Sequence, residues 1–485
     1  MSETQIKQAR INKLNAIKKA GINAYPSDSQ RTRAIGDVLK DFDKLAESGR
    51  KIFLVGRIRT IREHGGSTFF HFEDESGRMQ AYLKRDEIGS KDYQSFLDNF
   101  DIGDFIEAKG SFFKTKKGEK TILISSFRIL AKTLEPLPDK WHGLQDIEER
   151  FRKRYLDLLM NSEMRMKFNL RSKIIDSLRD FLKKEKFLEV ETPMLHPIPG
   201  GALAKPFKTH HNALDADFYL RIAPELYLKR LIVGGYERVF EIGRNFRNEG
   251  MDSTHNPEFT MLELYRAYTD YKELMKFTRR MILFSLKKVL DKTEIGYQGK
   301  TIDFFGPWST LDYGKLLEKY NISLKDSKDE LISAGKRLGV NIEPNQDKWH
   351  ILDDIFKKAI RPEFIQPTFV INHPIEISPL AKKLSKDESR TERFQFFVGG
   401  MELINGFSEL NDPIDQKARF QEQEKTKEGG KEESHRYDAD FVEALEHGLP
   451  PTAGLGLGLD RFAALLTDSH SIKEIILFPT LRPKK

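Results

Sequence analysis

The stretch Phe240-Glu-Ile-Gly-Arg-Asn-Phe-Arg-Asn-Glu-Gly250, continued by His255-Asn-Pro-Glu-Phe259 and Glu263-Leu-Tyr265, alternates apolar and polar residues on either side of a charged loop. That pattern predicts two strands joined by the loop. The pair would gather Arg244, Arg247, Glu249 and His255, which are planar donors suited to phosphate and carboxylates suited to a base or a ribose. A surface hairpin laced with ion pairs would use the same residue types, and the pattern alone leaves both readings open.

Outward from this hairpin, Met164, Phe168, Ile175, Leu178 and Leu182 recur at helical spacing, and Thr192-Pro193 is expected to end that run. Strand-like stretches follow at Phe218 to Ile222, Arg238 to Ile242, Phe259 to Leu264, Thr368 to Asn372 and Phe394 to Phe407. Strands arriving in succession with few regular crossovers predict an α+β domain with an antiparallel sheet over residues 151–485, not a doubly wound parallel one. Residues from about 270 to 360 are helix-rich, lack site-like clusters and read as an insertion or packing segment.

The N-terminal part differs in period. From 51 to about 131, short runs rich in β-branched and aromatic residues alternate between turns at Gly65-Gly66, Asp74 to Gly77 and Lys117-Gly118. Five strands in so short a span predict a small barrel of the OB type. Phe70 and Phe72 would fill its core, leaving Phe69 and His71 outside beside Arg62 and Gln80, where an exposed ring could stack on an unpaired base. Residues 136–150, with Pro136 and Pro138, read as a linker, and residues 1–50 as a helical extension. The basic helix at its start could be a packed amphipathic element or an RNA contact.

Composition narrows the class. A chain of 485 residues with 39% hydrophobic and 32% charged residues reads as an ordinary globular protein of two or three units. The segment from Met1 to Ala20 lacks an apolar signal core, and no run of about 18 apolar residues occurs, so a cytoplasmic location is expected. The net charge of +7 favours polyanions only weakly. The chain contains 0 cysteines, which excludes disulfides, thiolate catalysis and Cys-ligated zinc.

Two further clusters carry chemistry. Gly454, Gly456 and Gly458 line one face of a strand that ends in Leu459-Asp460-Arg461, so a flat ligand or another backbone could approach closely there. No Gly-Lys-Ser or Gly-Lys-Thr follows, which argues against a Walker loop. Asn405, Phe407 and Glu409 share a strand face and, with Glu225 and Glu263, could form an acidic pocket with an aromatic wall, complementary to a cation. A salt-bridged strand surface is the plainer alternative.

Together the clusters resemble the signature motifs of class II aminoacyl-tRNA synthetases: a helix ending at Pro193, the Phe246-Arg247-Asn248-Glu249 segment, and Gly-Leu-Gly-Leu-Asp460-Arg461. Pro199-Gly-Gly201-Ala, Ala223-Pro-Glu225-Leu-Tyr-Leu-Lys, Glu263-Leu-Tyr265 and Asn405-Gly-Phe-Ser-Glu409-Leu-Asn-Asp are similar to the lysyl members of the subgroup with an N-terminal OB-fold. The resemblance runs from about residue 50 to the C-terminus. It implies that Arg247 grips the α-phosphate of ATP, that Phe259 and Arg461 sandwich the adenine, and that Glu249, His255 and Asn256 help seat the nucleotide, with Arg247 and Arg461 as the catalytic cations. It implies lysine binding by Gly201, Glu225, Glu263, Tyr265, Asn405, Phe407, Glu409 and Gly458, and Mg²⁺ on two acidic positions that fall on Glu402 and Gln395. Gln395 departs from the pattern: an amide oxygen can ligate Mg²⁺ but brings no charge.

The same resemblance implies activation of L-lysine to lysyl-adenylate, transfer to tRNA(Lys), anticodon reading by Arg62, Phe69 and Gln80, and a homodimer. Aspartyl and asparaginyl enzymes share the architecture but need a cationic or amide-reading pocket where this chain has Glu263 and Glu409. A catalytically reduced RNA-binding paralogue is the reading from another class.

Overall fold

The computed structural model describes residues 2–138, 146–202, 204–343, 346–428 and 437–484. The chain divides into two units, Met1–Leu144 and Gln145–Lys485.

In the first unit, period-two burial produces a closed barrel. Strands β1 (Ile52–His64), β2 (Ser67–Asp74), β3 (Gly77–Lys84), β4 (Phe105–Lys114) and β5 (Lys120–Ala131) close in the order β1-β2-β3-β5-β4. Phe70 and Phe72 are fully buried, so alternation turns Phe69 and His71 outward. Helix α1 (Glu3–Lys19) starts with a capping box between Ser2 and Gln5 and packs through Leu14 and Ile17 onto the barrel core. Arg10 donates to the carbonyls of Ile102 and Glu135, Lys13 pairs with Asp101, and Lys7 pairs with Glu135. The basic helix is thus a packed element with three of its cations bonded to the unit it covers.

The second unit is built on an eight-stranded sheet. Its elements in chain order are α2 (Ser162–Lys184), β6 (Leu188–Glu189), α3 (Glu225–Val233), β7 (Arg238–Phe246), β8 (Glu258–Ala267), α4 (Tyr271–Leu290), β9 (Ser309–Asp312), β10 (Thr368–Ile371), β11 (Arg393–Val398), β12 (Met401–Ser408), α5 (Ala439–Glu446), β13 (Thr452–Gly458) and α6 (Leu459–Leu466). The strand order is β9-β10-β11-β12-β13-β8-β7-β6, antiparallel except for the edge pairs β9–β10 and β6–β7.

Alternation sorts the two faces of this sheet. Phe240, Leu262, Leu264, Phe394, Phe396, Ile404, Leu455 and Leu457 share one core with Leu178 and Leu182 of α2, Leu274 and Met281 of α4, and Phe462 of α6. The intervening positions Glu241, Glu263, Tyr265, Asn405 and Phe407 face the other way. There Tyr265 joins a second core with Leu226 and Ile232 of α3 and Phe441 of α5. The apolar face anchors the strands, and the opposite face is free to carry polar chemistry.

Two expectations shift. The run from Met164 to Leu182 is helical, but the helix stops at Lys184, well before Pro193. Lys186 takes a left-handed backbone (φ 65°), and the Phe187 amide closes on the Leu182 carbonyl at 3.0 Å. The chain then enters the sheet as β6, so a local turn and strand pairing end the helix and the proline does not. The segment from 270 to 360 is partly integral: α4 feeds the main core and β9 forms a sheet edge, while Tyr313, Leu317, Leu331, Ile351 and Phe356 build a satellite core against Val370 and Phe397. The expected linker at 136–150 falls partly outside the described residues; what is described of it includes the start of a helix at Ile147–Arg152, capped by Asp146. Among the described residues no helix is long and apolar enough to cross a membrane.

Candidate active site

Register decides which residues meet. On the polar face, Glu263 of β8, Gly456 of β13 and Asn405 of β12 form one row across three strands, and Tyr265, Gly454 and Phe407 form the next. The glycines are the floor. A Cβ at Gly454 would lie 2.3 Å from a Tyr265 ring carbon and 2.7 Å from Glu409 Oε1, and one at Gly456 would lie 2.7 Å from Met261 Cε. The tyrosine ring therefore lies directly on backbone, as the glycine spacing permits.

Three carboxylates converge above this floor. Glu225 opens α3, Glu263 projects from β8, and Glu409 follows the end of β12; all three are buried. Gly201, with φ 86°, closes one wall: a Cβ there would stand 3.0 Å from Glu225 Cβ. Burial and the nearby Glu225 push Glu263 up to about 8, against the pull of Arg247 and Arg221. Burial also raises Glu225 and Glu409, opposed in both by the Lys229 ammonium. The Tyr265 hydroxyl donates to Glu263 Oε2 at 3.3 Å. Arg393 donates from Nε to Asn405 Oδ1 at 2.8 Å, which leaves the amide nitrogen of Asn405 as its donor.

Beside the carboxylates lies the arginine-bearing loop. The Arg247 guanidinium sits 5.1 Å from the centre of the Phe259 ring, and its buried Nε has no hydrogen-bond partner among the described residues. Arg461, in the first turn of α6, donates to the carbonyl of Glu402 at 3.1 Å and to His255 Nε2 at 2.9 Å. Arginine has only donors, so His255 Nε2 accepts and Nδ1 carries the proton toward Asp252, 2.8 Å away. Burial and Arg461 both lower the His255 pKa, consistent with a neutral ring. Asn256 is buried and donates to the Glu258 carbonyl at 2.7 Å, and its Oδ1 has no partner among the described residues. Glu249 is exposed on the loop, and Gly458 adjoins Arg461, with a built Cβ 3.8 Å from Arg461 Cδ.

Gln395 of β11 lies opposite Asn405, and its Oε1 accepts from buried His373 Nε2 at 2.9 Å. Among the described residues no group of three His, Asp or Glu is placed to hold a metal ion.

On the barrel, Phe69 stacks on Tyr82 with ring centres 4.4 Å apart, and Phe113 meets Tyr82 edge-on at 6.0 Å. Arg62 is exposed and pairs in register with Phe69. Gln80 accepts from Thr121 at 2.8 Å and donates to Glu119 at 2.7 Å; Glu119 also lies 2.8 Å from His71. The result is an aromatic step beside a polar network with one orientation.

Sequence reading missed four members of these sites: Lys229, Arg393, Tyr82 and Glu119. Lys229 had a local signal, since it stands four residues after Glu225 on one helix face. Tyr82 could have followed from period two in β3. Arg393 and Glu119 acquire their neighbours only through strand register.

The family described as tRNA synthetases class II (D, K and N) matches residues 146–482, and the OB-fold nucleic acid binding domain matches residues 52–130. The chain is 49% identical to the lysine–tRNA ligase of Carboxydothermus hydrogenoformans, covering 99% of this chain and 98% of that one. It is 46% identical to the lysine–tRNA ligase of Pelotomaculum thermopropionicum (99% and 96% covered) and 45% identical to that of Moorella thermoacetica (100% and 99%).

Proposed function

This chain belongs to the class II tRNA synthetases of the D, K and N group, and on that premise we propose that it ligates L-lysine to tRNA(Lys) at the expense of ATP. The observation that carries the choice of amino acid is the convergence of Glu225, Glu263 and Glu409 on one glycine floor, next to two arginines. Three buried carboxylates are complementary to ammonium groups and repel the side chain of aspartate.

The strand register suggests how the substrate lies. The Glu263 row is nearer to Gly458 and Arg461 than the row of Tyr265, Gly454 and Phe407, beyond which Glu409 stands. Glu263 would take the α-ammonium, and Glu409 with Glu225 the ε-ammonium, between the Phe407 and Tyr265 rings. The lysine carboxylate would then attack the α-phosphorus of ATP in line, forming lysyl-adenylate and releasing pyrophosphate. The 3′-hydroxyl of the terminal adenosine of the tRNA would take the lysyl group in the second step, releasing AMP. Neither step needs a protein nucleophile; Arg247 at the α-phosphate and Arg461 against the adenine would act by positioning and charge neutralisation. The Arg461–His255–Asp252 chain supports this, because it holds the loop bearing Glu249 and Asn256 against α6.

Glu402 would hold Mg²⁺ together with the ATP phosphates, an arrangement usual for this ion, and bound there it would neutralise phosphate charge. Gln395 fits a metal poorly, because its oxygen already accepts from His373.

A ligand lacking the terminal ammonium would leave buried carboxylates unpaired, at a cost of roughly 3–5 kcal/mol. Ornithine, one methylene shorter, differs by only about 1–3 kcal/mol. The barrel (residues 51–135) would serve as the anticodon-binding domain, with Phe69 as the stacking platform and Arg62 and Gln80 at its rim, and residues 151–485 as the catalytic domain. The two-chain assembly is proposed as a homodimer.

Pyrophosphate exchange with lysine, aspartate and asparagine tests the reading. Exchange with lysine alone is expected, together with a loss of at least about a hundredfold in Arg247→Ala. Exchange driven by aspartate or asparagine would overturn it.

A further inference from the structure

Lys229 stands inside the pocket, yet the reading of the pocket as a lysine site gives it no role. Its side chain is completely buried, its ammonium lies 2.6 Å from Glu225 Oε1 and pairs with Glu409 Oε2, and the rings of Phe407, Phe441 and Tyr265 surround it at 5.3, 5.8 and 6.0 Å. Among the described residues neither buried oxygen of Glu409 completes a hydrogen bond: Oε2 is ion-paired with Lys229, and Oε1 stands close above Gly454. One pocket carboxylate therefore pairs with a resident cation and still has acceptor capacity left for a second.

Charge decides what that second cation must be. Glu225, Glu263 and Glu409 supply three negative charges when ionised and Lys229 returns one positive, so two remain. The other cations nearby are balanced mainly elsewhere. Arg393 bonds the neutral Asn405 and Ile377 carbonyl, and the carboxylates that act on it most strongly are Glu402 and Asp353, ahead of Glu225. Arg221 pairs with Glu241 at 2.5 Å, and Arg247 answers first to Glu249 on the loop that would receive phosphate and only then to Glu263. Two is also the number of ammonium groups on free lysine.

Resting on the proposed lysine site, we infer that Lys229 determines specificity: as a resident ammonium it matches the pocket to a ligand with two ammonium groups. With a neutral residue in its place, Glu225 and Glu409 face each other without their shared cation in a buried site, and one of them takes up a proton. The resulting carboxylic acid is a donor that can serve a neutral side-chain end. Lysine then has to expel that proton to bind, and a neutral isostere does not. Lys229 touches the carboxylates and acts through them.

The test compares wild type, Lys229→Met and Lys229→Arg in pyrophosphate exchange, using lysine and 6-hydroxynorleucine, which keeps the chain length and replaces the ammonium by hydroxyl. In Lys229→Met, kcat/KM for lysine is expected to fall roughly tenfold to a hundredfold, chiefly through KM, while that for the hydroxyl analogue holds or rises. The lysine KM of this variant should also recover with rising pH more steeply than that of wild type. Lys229→Arg, which keeps the charge, should preserve the wild-type ratio within a few-fold. An equal fall for both substrates in Lys229→Met, or unchanged lysine kinetics, overturns the inference. Lys229→Gln carries the same expectation should the methionine variant fail to give a normal thermal unfolding profile. Absence of lysine-dependent exchange in the wild type would instead sink the pocket reading, and this inference with it.

Discussion

Gly454→Ala is the substitution whose effect the structure specifies most tightly. The added methyl would sit 2.3 and 2.4 Å from two carbons of the Tyr265 ring and 2.7 Å from Glu409 Oε1. Carbon atoms in contact prefer about 3.5–4.0 Å, so the ring would have to move by more than about 1 Å. Tyr265 is buried in the core shared with α3 and α5, and such overpacking costs about 1–3 kcal/mol. A displacement of that size at a binding wall can cost about a hundredfold in rate. The sister glycines provide the scale. At Gly456 the tight neighbour is only the mobile end of Met261, with Glu263 Cγ at 3.6 Å, and at Gly458 nothing comes nearer than 3.8 Å. None of the three has a positive φ, so alanine is compatible with the backbone and lowers unfolded-state entropy, a gain of about 0.4–1 kcal/mol where no clash opposes it. The expected order of damage to thermal midpoint is Gly454→Ala, then Gly456→Ala, then Gly458→Ala, the last being neutral or slightly stabilised. Lysine KM in pyrophosphate exchange should rise most for Gly454→Ala. Equal midpoints and equal KM values for Gly454→Ala and Gly458→Ala would show that Tyr265 does not lie on this floor.

Further outcomes follow from the same geometry. With Glu263 pushed up to about 8, its carboxyl is largely protonated below that pH in the empty pocket and must ionise to pair with an ammonium. The lysine KM should accordingly fall by up to about tenfold per unit as pH rises from 6 toward 8 and level off above; a flat profile across that range would refute this. Phe69→Ala removes one ring of the aromatic step, so tRNA charging should weaken by about 1–3 kcal/mol for one stacked base while lysine-dependent exchange stays intact. Equal losses in both assays would place Phe69 elsewhere in the mechanism. Light scattering of the purified protein should report twice the chain mass, and a monomer at micromolar concentration would count against the homodimer.

Much of this protein could be read locally. Period two set Phe70 and Phe72 inside the barrel and Phe69 outside, because a strand's faces alternate whatever it packs against. The same rule put Asn405 and Phe407 on one face, and the glycine spacing announced a floor without side chains. Helix termination was harder: the apolar run ended in a left-handed turn at Lys186 that no proline signals, since tertiary pairing of Leu188 with Val239 draws the chain away first. The role of residues 270–360 was equally hidden, because whether an amphipathic helix such as α4 joins the main core or a satellite depends on what lies opposite it.

Residue types, their periodicity and their clustering along the chain already pointed to two or three units, an α+β sheet, a small barrel, and a set of acids and arginines suited to an ammonium and a phosphate. Only tertiary structure decided that Glu225, Glu263 and Glu409 share one buried space, that Lys229 stands among them, and that Gln395 gives its oxygen to His373. The reason is physical: side-chain direction is a local property of helix and strand, whereas the pairing of charges and the loss of their water depend on strand register and on which distant elements cover them.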